Sequence, residues 1–329
     1  MMDYSVAIRT LGKAGDKYQR ELDSLARQTI KPKHIFVYIP EGYSIPQETI
    51  GIEQYIRCQK GMISQRALSA NDIDTPLCLF LDDDVYLPPD AVETLIKALL
   101  ENGGDCIAAD TFKNQDMSIL EKTKAAITNW AIPRIDDKWA FKIGYTGTFS
   151  YNLNPKNDIC LSQNAAGPCS LWKTDSFRKI HFEDEIWVDQ LGFAYGDELL
   201  FYYKLFKNGG KLLVHYTSGI LHLDAQSSRN VFKSNYKKFY IRSFMWFVIW
   251  WRTQYENCGN RMVDKLLTVS LFVIKLLFDV ILHVIFGICH LSINPVIFWT
   301  KGLYNGFQFV HSHEYLEIRP FVCKQNQIG

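Results

Sequence analysis

The 329-residue sequence predicts an α/β domain built on a doubly wound sheet, followed by a hydrophobic helical region. Three observations support this fold class. Apolar, β-rich runs alternate with segments of helical periodicity between residues 4 and 110. One uninterrupted apolar run ends in three consecutive carboxylates, as expected where a buried strand reaches the edge of a parallel sheet. From Arg229 onward the chain becomes basic and aromatic and then strongly apolar.

The strand–helix alternation fixes the order of the elements in the predicted domain. Helical stretches end at turn signals such as Lys31-Pro32 and Gly103-Gly104. The predicted strands are Tyr4 to Thr10, His34 to Ile39, Gln54 to Cys58, the apolar run from Cys78, and Cys106 to Asp110. The predicted helices are Asp16 to Gln28, Gly61 to about Asn71, and Asp90 to Leu100. The region from Asn114 to Asn164 is irregular and aromatic, typical of loops that cover a site.

The acidic end of the fourth strand is the first candidate site. Alternate residues of an extended segment point the same way, so Asp82 and Asp84 are expected to reach one divalent cation while Asp83 faces the other side. Oxygen ligands suit Mg²⁺ or Mn²⁺ bridging substrate phosphates. The alternative interpretation is a turn, because Asp is common where strands end and Pro88 and Pro89 begin the next helix.

A second pair of acids opens a later helix. Asp197 and Glu198 lie in its first turn, Lys204 and Lys207 follow, and Gly209-Gly210 ends it. Helix capping alone would account for one of these acids. A carboxylate next to a metal–phosphate site is also able to accept a proton from an attacking hydroxyl, so catalysis is the second interpretation.

The C-terminal part predicts attachment to a membrane. Between Arg229 and Arg261, basic residues alternate with aromatic ones, which suits an anionic lipid surface better than nucleic acid. Leu266 to Leu291 is long and apolar enough to cross a bilayer. Its Lys275, Asp279 and His283 are four residues apart on one helical face, and they are expected to pack on protein, on the apolar segment from Ile293 to Val310, or on another subunit. The alternative is a soluble amphipathic helix.

Bulk composition excludes some partners and compartments. The net charge of +1 gives no general attraction to nucleic acid. Eight cysteines form no C-x-x-C pair and no zinc spacing, which is typical of free thiols in a reducing cytosol. The first residues enter a strand at once, so no secretory signal is expected.

Together, these motifs resemble family 2 glycosyltransferases of the GT-A fold over roughly residues 4 to 224. The residues that carry the resemblance are Thr10, Ser24 to Thr29, Gly61 with Arg66, Phe80 to Asp84, Gly167 with Trp172, and Asp197-Glu198 ahead of Gly209. The resemblance implies a GT-A doubly wound mixed sheet. It also implies inverting, metal-dependent transfer of a sugar from a nucleoside diphosphate sugar to an acceptor hydroxyl.

The resemblance also suggests roles for individual residues. Asp82 and Asp84 match the metal-binding D-x-D motif, with Mn²⁺ or Mg²⁺ as the expected ion, and His222 matches a further metal ligand found in some members. Thr10, Arg66 and Asp83 fall where the nucleotide is held, as does Glu41, the one acid near the end of strand two. The aligned base is Glu198, although a slip of one residue would make it Asp197. The positions matching the acceptor site are Gly167 and Trp172.

The resulting prediction is a catalytic domain at residues 1–225 and a membrane-associated helical region at residues 226–329. The expected donor is a UDP-sugar, and the expected acceptor is a lipid-linked or membrane-proximal glycan of cell-surface polysaccharide at the cytoplasmic face of the membrane. Two other classes stay open, a metal-dependent phosphohydrolase and a non-enzymatic membrane adaptor that binds a sugar nucleotide.

Overall fold

The computed structural model describes residues 2–111, 137–152, 155–192, 195–223, 236–259 and 261–322. The described residues form two compact units. The first contains residues 2–111, 137–141, 152, 155–192 and 195–223; the second contains 142–151 and the described residues from 236 onward. The boundary predicted between residues 225 and 226 lies outside the described residues and stays a prediction. So do residues 114–136 and 153–154 of the predicted irregular region and residues 229–235 and 260 of the predicted basic segment.

The first unit alternates strands and helices in the predicted order. Its strands are β1 (Tyr4–Arg9), β2 (His34–Pro40), β3 (Glu53–Cys58), β4 (Leu77–Asp82), β5 (Val85–Tyr86), β6 (Cys106–Ala109), β9 (Ile159–Ser162), β10 (Cys169–Lys173), β11 (Leu212–His215) and β12 (Leu221–His222). The strands β7 (Phe141–Ile143) and β8 (Phe149–Tyr151) form a separate hairpin that belongs almost entirely to the second unit. The helices of the first unit are α1 (Asp16–Ala26), α2 (Met62–Ala67), α3 (Ser69–Asp72), α4 (Ala91–Glu101), α5 (Thr174–Lys179) and α6 (Asp197–Lys207), and a 3₁₀ segment spans Phe182–Leu191.

The main sheet has eight strands in the order β3-β2-β1-β4-β10-β6-β11-β9. The strands β1 to β4 are mutually parallel where they pair, whereas β10 runs antiparallel between β4 and β6. All six residues of β1 are buried, and five of the six in β4, as expected for strands covered on both faces. The predicted mixed α/β sheet is thus confirmed.

The order of the strands decides where the site lies. β1 and β4 are parallel neighbours, with Arg9 opposite Asp82 in the register. Their carboxyl ends therefore meet at one edge of the sheet, where open α/β folds place ligands. Helix α1 packs its Tyr18, Leu22 and Leu25 into the core beneath this edge.

The second unit is a bundle of helices together with residues 142–151, which make up nearly all of the β7–β8 hairpin. The helices are α7 (Lys237–Trp250), which continues as a π-helical turn, α8 (Met262–Cys289), α9 (Asn294–Val310) and α10 (His313–Glu317). Helices α7 and α9 lie very close together: a Cβ on Gly302 would be 2.0 Å from Ser243 Oγ and 2.2 Å from the Tyr240 carbonyl oxygen. Glycine at this position permits the close backbone approach. Among the described residues, α8 is the one helix that is long and apolar enough to cross a membrane.

Candidate active site

The acidic turn lies at the sheet edge where β4 ends. Asp82 is the last residue of β4, and Asp83 and Asp84 form the turn that leads into β5. β5 pairs with β12, which brings His222 beside the turn. His222 Nε2 lies 3.1 Å from Asp84 Oδ1, and the Leu223 N–H donates to the Asp84 carbonyl oxygen at 2.8 Å. Two of the predicted metal ligands are thus adjacent although they are far apart in the sequence.

Asp83 contacts Thr10, the residue that follows the end of β1, and both were predicted to bind the nucleotide. Thr10 Oγ1 donates to Asp83 Oδ2 at 2.5 Å and accepts from the Gly12 N–H at 2.8 Å. Burial, together with the neighbouring charges of Asp82 and Asp84, raises the pKa of Asp83 to about 6, while the Thr10 hydrogen bond opposes the rise.

Arg9, which the sequence reasoning did not identify, connects the two acidic clusters. Its Nε donates to Asp82 Oδ1 at 2.5 Å, and its Nη1 lies 3.5 Å from Asp197 Oδ2. The signal was present in the sequence, because Arg9 is a charged residue at the end of an otherwise apolar strand. A cation that is 9% exposed at the edge of a sheet requires anionic partners.

The structure gives Asp82 and Asp84 different partners. Asp82 pairs with Arg9, whereas Asp84 faces His222. Across the described parts of the chain, no group of three or more His, Cys, Asp or Glu side chains is arranged to hold a metal ion. One carboxylate and one imidazole still form a partial donor set, and Mg²⁺ in proteins commonly completes its coordination with waters and substrate phosphates. Joint coordination by Asp82 and Asp84 therefore stays a prediction.

Glu198 occupies the first turn of α6 against the backbone of Gly167. A Cβ on Gly167 would lie 2.4 Å from Glu198 Oε1, so only glycine leaves room for the carboxyl group. Burial and then the neighbouring Asp197 raise the pKa of Glu198 to about 7, while the positive charges of Arg9 and Arg66 oppose the rise. A carboxylate with this pKa is suited to accept a proton near neutral pH. Asp197 instead lies beside Arg9, so Glu198 is the stronger candidate base.

Arg66 is a buried cation that forms no hydrogen bond with a carboxylate in the part of the chain that the structure describes. Its Nη2 donates to the Gly167 carbonyl oxygen at 3.4 Å, and its guanidinium lies 4.5 Å from the centre of the Phe201 ring. Its Nε and Nη1 have no hydrogen-bond partner within the described residues. Burial, followed by the nearby charge of Arg9, lowers the pKa of Arg66. Two unpaired donors on a buried cation leave capacity for an anionic ligand.

The short helix that carries Arg66 is held by a distant acid. Asp189, near the end of the 3₁₀ segment, accepts hydrogen bonds from the Ile63 N–H at 3.0 Å, the Ser64 N–H at 2.9 Å and Ser64 Oγ at 2.7 Å. The Ile63 and Ser64 N–H groups lie in the first turn of α2, where backbone N–H groups have no acceptor within the helix itself. Asp189 therefore caps α2 across more than 120 residues of sequence and fixes its first turn.

The other end of the 3₁₀ segment binds the helix that carries Glu198. Lys204 of α6 is fully buried, and its Nζ lies 2.9 Å from Glu185 Oε1, 3.2 Å from Asp184 Oδ2 and 2.9 Å from the His181 carbonyl oxygen. A buried cation with these partners holds α6 in one position. The segment thus contacts both helices that contribute to the site.

Helix α1 holds the chain that follows the acidic turn. Glu21 Oε2 accepts from the Val85 N–H at 2.9 Å, Ser24 Oγ from the Leu87 N–H at 3.2 Å, and Gln28 Oε1 from the Val92 N–H at 3.1 Å. Burial raises the pKa of Glu21 well above its ordinary value, and the nearby Asp83 and Asp84 add to the rise. Glu21 is therefore a buried hydrogen-bond acceptor that positions the chain after the turn.

Two further predicted residues, Trp172 and Glu41, have different surroundings. Trp172 is fully buried and packs against the Phe201 and Tyr202 rings, in a strand whose residues 169–172 are all buried. Its assignment to the acceptor site stays a prediction. Glu41 is exposed just beyond β2, and its N–H donates to the Cys58 carbonyl oxygen at 3.0 Å. Its role in nucleotide binding stays a prediction.

The sequence matches no protein-family model and no curated protein. Solved structures do resemble it. The crystal structure of S. aureus TarS 1-349 in complex with UDP-GlcNAc aligns over 93% of this chain and 81% of that chain, at 12% identity and a TM-score of 0.51. GalNAc-T7 with UDP, GalNAc and Mn²⁺ aligns over 85% of this chain and 55% of that chain, at 13% identity and a TM-score of 0.48. The likeness to TarS shows that the fold is GT-A-like.

Proposed function

We propose that the protein transfers a sugar from a nucleoside diphosphate sugar to an acceptor hydroxyl, with inversion at the anomeric carbon, as a family 2 glycosyltransferase. The observation that carries the proposal is Glu198. This carboxyl has a pKa of about 7 and lies near two buried arginines, Arg9 and Arg66, at the carboxyl edge of a GT-A-like sheet. Such a site combines a base suited to neutral pH with cations suited to a diphosphate.

In the proposed reaction Glu198 removes the proton from the acceptor hydroxyl as its oxygen attacks the anomeric carbon. The bond between that carbon and the diphosphate oxygen breaks, and the diphosphate leaves with the electron pair. Arg66 has unpaired donors for the departing negative charge, since its Nε and Nη1 lack partners among the described residues. Arg9 holds Asp82 and Asp197 in place around the reacting groups.

Asp84 and His222 would hold a divalent cation, Mn²⁺ or Mg²⁺, and Asp82 is the further candidate ligand. Their carboxylate oxygens suit these ions, and the imidazole nitrogen of His222 is a common metal ligand. When bound, the cation supplies positive charge that neutralises the diphosphate.

We propose that the nucleotide is bound by Thr10, Asp83, Arg66 and Glu41. Thr10 and Asp83 form one hydrogen-bonded pair at the ends of β1 and β4, which is where open α/β sheets bind nucleotides. A UDP-sugar is the proposed donor. TarS, whose fold this chain shares, was crystallised with UDP-GlcNAc, which supports this choice.

The test is incubation of the full chain with a panel of UDP-, GDP- and dTDP-sugars and Mn²⁺, followed by mass spectrometry of the products. Thermal-shift measurements with the same nucleotides identify the donor, because a ligand at a hundred times its dissociation constant adds about 2.7 kcal/mol of stability. We expect a UDP-sugar to stabilise the protein most and to be consumed with an acceptor. Phosphate release without sugar transfer would favour a phosphohydrolase, and binding without turnover would favour an adaptor.

We further propose that the acceptor is a lipid-linked or membrane-proximal glycan of cell-surface polysaccharide, and that the protein acts at the cytoplasmic face of the membrane. The apolar helix α8 and the basic residues Lys237, Lys238 and Arg242 of α7 support this location. We expect the full chain to sediment with membranes, to resist extraction by high salt and to dissolve in detergent. Release by salt alone would show that the attachment is only electrostatic.

A further inference from the structure

Helix α8 has two opposite faces of different chemistry. One face carries four polar residues spaced by seven, four and four positions, so that they lie on the same side of the helix: Thr268, Lys275, Asp279 and His283. Thr268 and Lys275 are buried, and Asp279 is 15% exposed. We call this face the polar seam. It places charged groups near the middle of an otherwise apolar helix, where they require partners.

The partners of the polar seam come from α8 itself and from the two helices beside it. Lys275 is paired with Asp279, and its ammonium lies 5.6 Å from the centre of the Trp246 ring of α7. His283 Nδ1 donates to the Asp279 carbonyl oxygen at 2.7 Å, and the imidazole stacks on Trp299 of α9 at 4.8 Å between ring centres. Helices α7 and α9 therefore cover the polar seam.

The opposite face of α8 is apolar except for the exposed hydroxyl residue Ser270. From residue 266 to residue 288 none of its exposed residues is charged. We call this face the apolar face; its exposed large side chains are Leu266, Leu267, Val273, Ile274, Leu277, Ile281, Val284, Ile285 and Ile288. A helix of 28 residues is about 42 Å long. An apolar strip of this length on a soluble surface requires a covering partner.

The position of charged residues on the neighbouring helices limits how α8 is able to lie in a membrane. Helices α7 and α8 run antiparallel, because Phe239 contacts His283 at 5.7 Å and Trp246 contacts Phe272 at 4.7 Å between ring centres. Arg242, three residues beyond Phe239, therefore lies level with the middle of α8. It is exposed.

Lys301 of α9 is a second exposed charge beside the apolar length of α8. Its neighbour Gly302 contacts Tyr240 of α7, so Lys301 also lies level with the second half of α8. If α8 crossed the bilayer upright, the helices that cover its polar seam would cross with it. Arg242 and Lys301 would then lie in the hydrocarbon, which costs about 2.5 to 3.5 kcal/mol for each charge by insertion scales.

We infer that α8 lies in the plane of the membrane, with its apolar face in the acyl chains and α7 and α9 on its other side. The occupant of the apolar face is the lipid of one leaflet. Exposed Lys237, Arg242, Lys265 and Lys301 then lie near the headgroups, so an anionic surface strengthens the attachment. The inference rests on the helices alone, and it stands whether or not the chain transfers sugars.

The first experiment asks whether the two ends of α8 lie on the same side of a bilayer. The full chain, with Cys258, Cys289 and Cys323 replaced by serine, is bound from outside to phosphatidylcholine–phosphatidylglycerol vesicles. Met262→Cys and Leu291→Cys are then labelled separately with a membrane-impermeant maleimide. We expect both to react in intact vesicles. If either reacts only after detergent opens the vesicles, α8 spans the bilayer and the inference is wrong.

The second experiment compares two faces with one type of substitution. Ile281→Lys puts a charge on the apolar face, where Ile281 is 56% exposed, and Thr300→Lys puts the same charge on an exposed position of α9. We expect Ile281→Lys to lower the affinity for vesicles about tenfold or more, because burial of one isoleucine side chain in lipid contributes at least about a factor of ten to binding. Thr300→Lys should bind at least as tightly as the parent chain, because its added charge lies near anionic headgroups. The inference is overturned if both variants bind vesicles equally well, or if the parent chain forms a stable dimer that does not bind vesicles.

Discussion

The pH dependence of the reaction follows from the environment of Glu198. The base must be deprotonated, so activity is lost as the pH falls through the pKa of about 7. For one titrating group, kcat/KM should be half its plateau near pH 7 and about a tenth of it near pH 6. Replacement of Arg66 by methionine removes a positive charge that lowers this pKa. The half-maximal pH should then rise by roughly one unit, because a nearby opposite charge contributes one to three.

The assay is the initial rate of sugar transfer from pH 5 to pH 9 for the parent chain, Arg66→Met and Arg66→Lys. Arg66→Lys keeps the charge and serves as the matched control, so its profile should stay near that of the parent. A variant that is merely less well folded would lower the rate at every pH without moving the midpoint. A parent midpoint below pH 5, or an unchanged midpoint in Arg66→Met, would refute the assignment of Glu198 as the base.

Three further substitutions test the site. Asp84→Ala should lower kcat at least a hundredfold and weaken Mn²⁺ binding measured by calorimetry, with little change in melting temperature; a tenth of the parent rate with metal still bound would contradict the metal assignment. Glu21→Gln keeps an acceptor for the Val85 N–H. Because the pKa of Glu21 is raised in the folded state, the parent protein loses stability as the pH rises above the ordinary pKa of a glutamate. The melting temperature of Glu21→Gln relative to that of the parent should therefore increase from pH 5 to pH 8 in metal-free buffer. A constant difference would show that Glu21 is already ionised. Asp189→Ala removes three hydrogen bonds at the start of α2 and should lower stability by about 1 to 2 kcal/mol in urea unfolding, whereas Glu183→Gln on the same 3₁₀ segment should change it little.

The fold was predictable because its signals are local. The apolar run before Asp82 and the periodicity of α1 and α4 each depend on residues within one element, and the structure places these elements within a few residues of the predicted bounds. The polar seam of α8 follows from the spacing of Lys275 and Asp279 by four residues, and these two side chains are indeed paired.

The contacts that complete the site are not local, and the sequence alone could not supply them. Arg9 meets Asp82 across 73 residues because β1 and β4 are neighbours, and Asp189 meets Ser64 across 125 residues because the 3₁₀ segment returns to α2. Nor does the sequence indicate that Trp172 is buried, because the position of its strand β10 in the sheet depends on strands far away in the sequence. Once β10 is placed between β4 and β6, its side chain points into the core.

The place of β10 in the sheet also determines when the site is able to form during synthesis. β4 and β6 are complete by residue 109, yet they do not pair with each other and wait for β10, which ends at Lys173. Until then the apolar edge of β4 has no partner on that side, and such an edge is open to pairing with other chains. The Asp82 N–H donates to the Pro168 carbonyl oxygen at 3.0 Å, so the acidic turn gains this support only with β10. A nascent chain shorter than about 170 residues therefore carries the acidic residues without the strand that fixes their geometry.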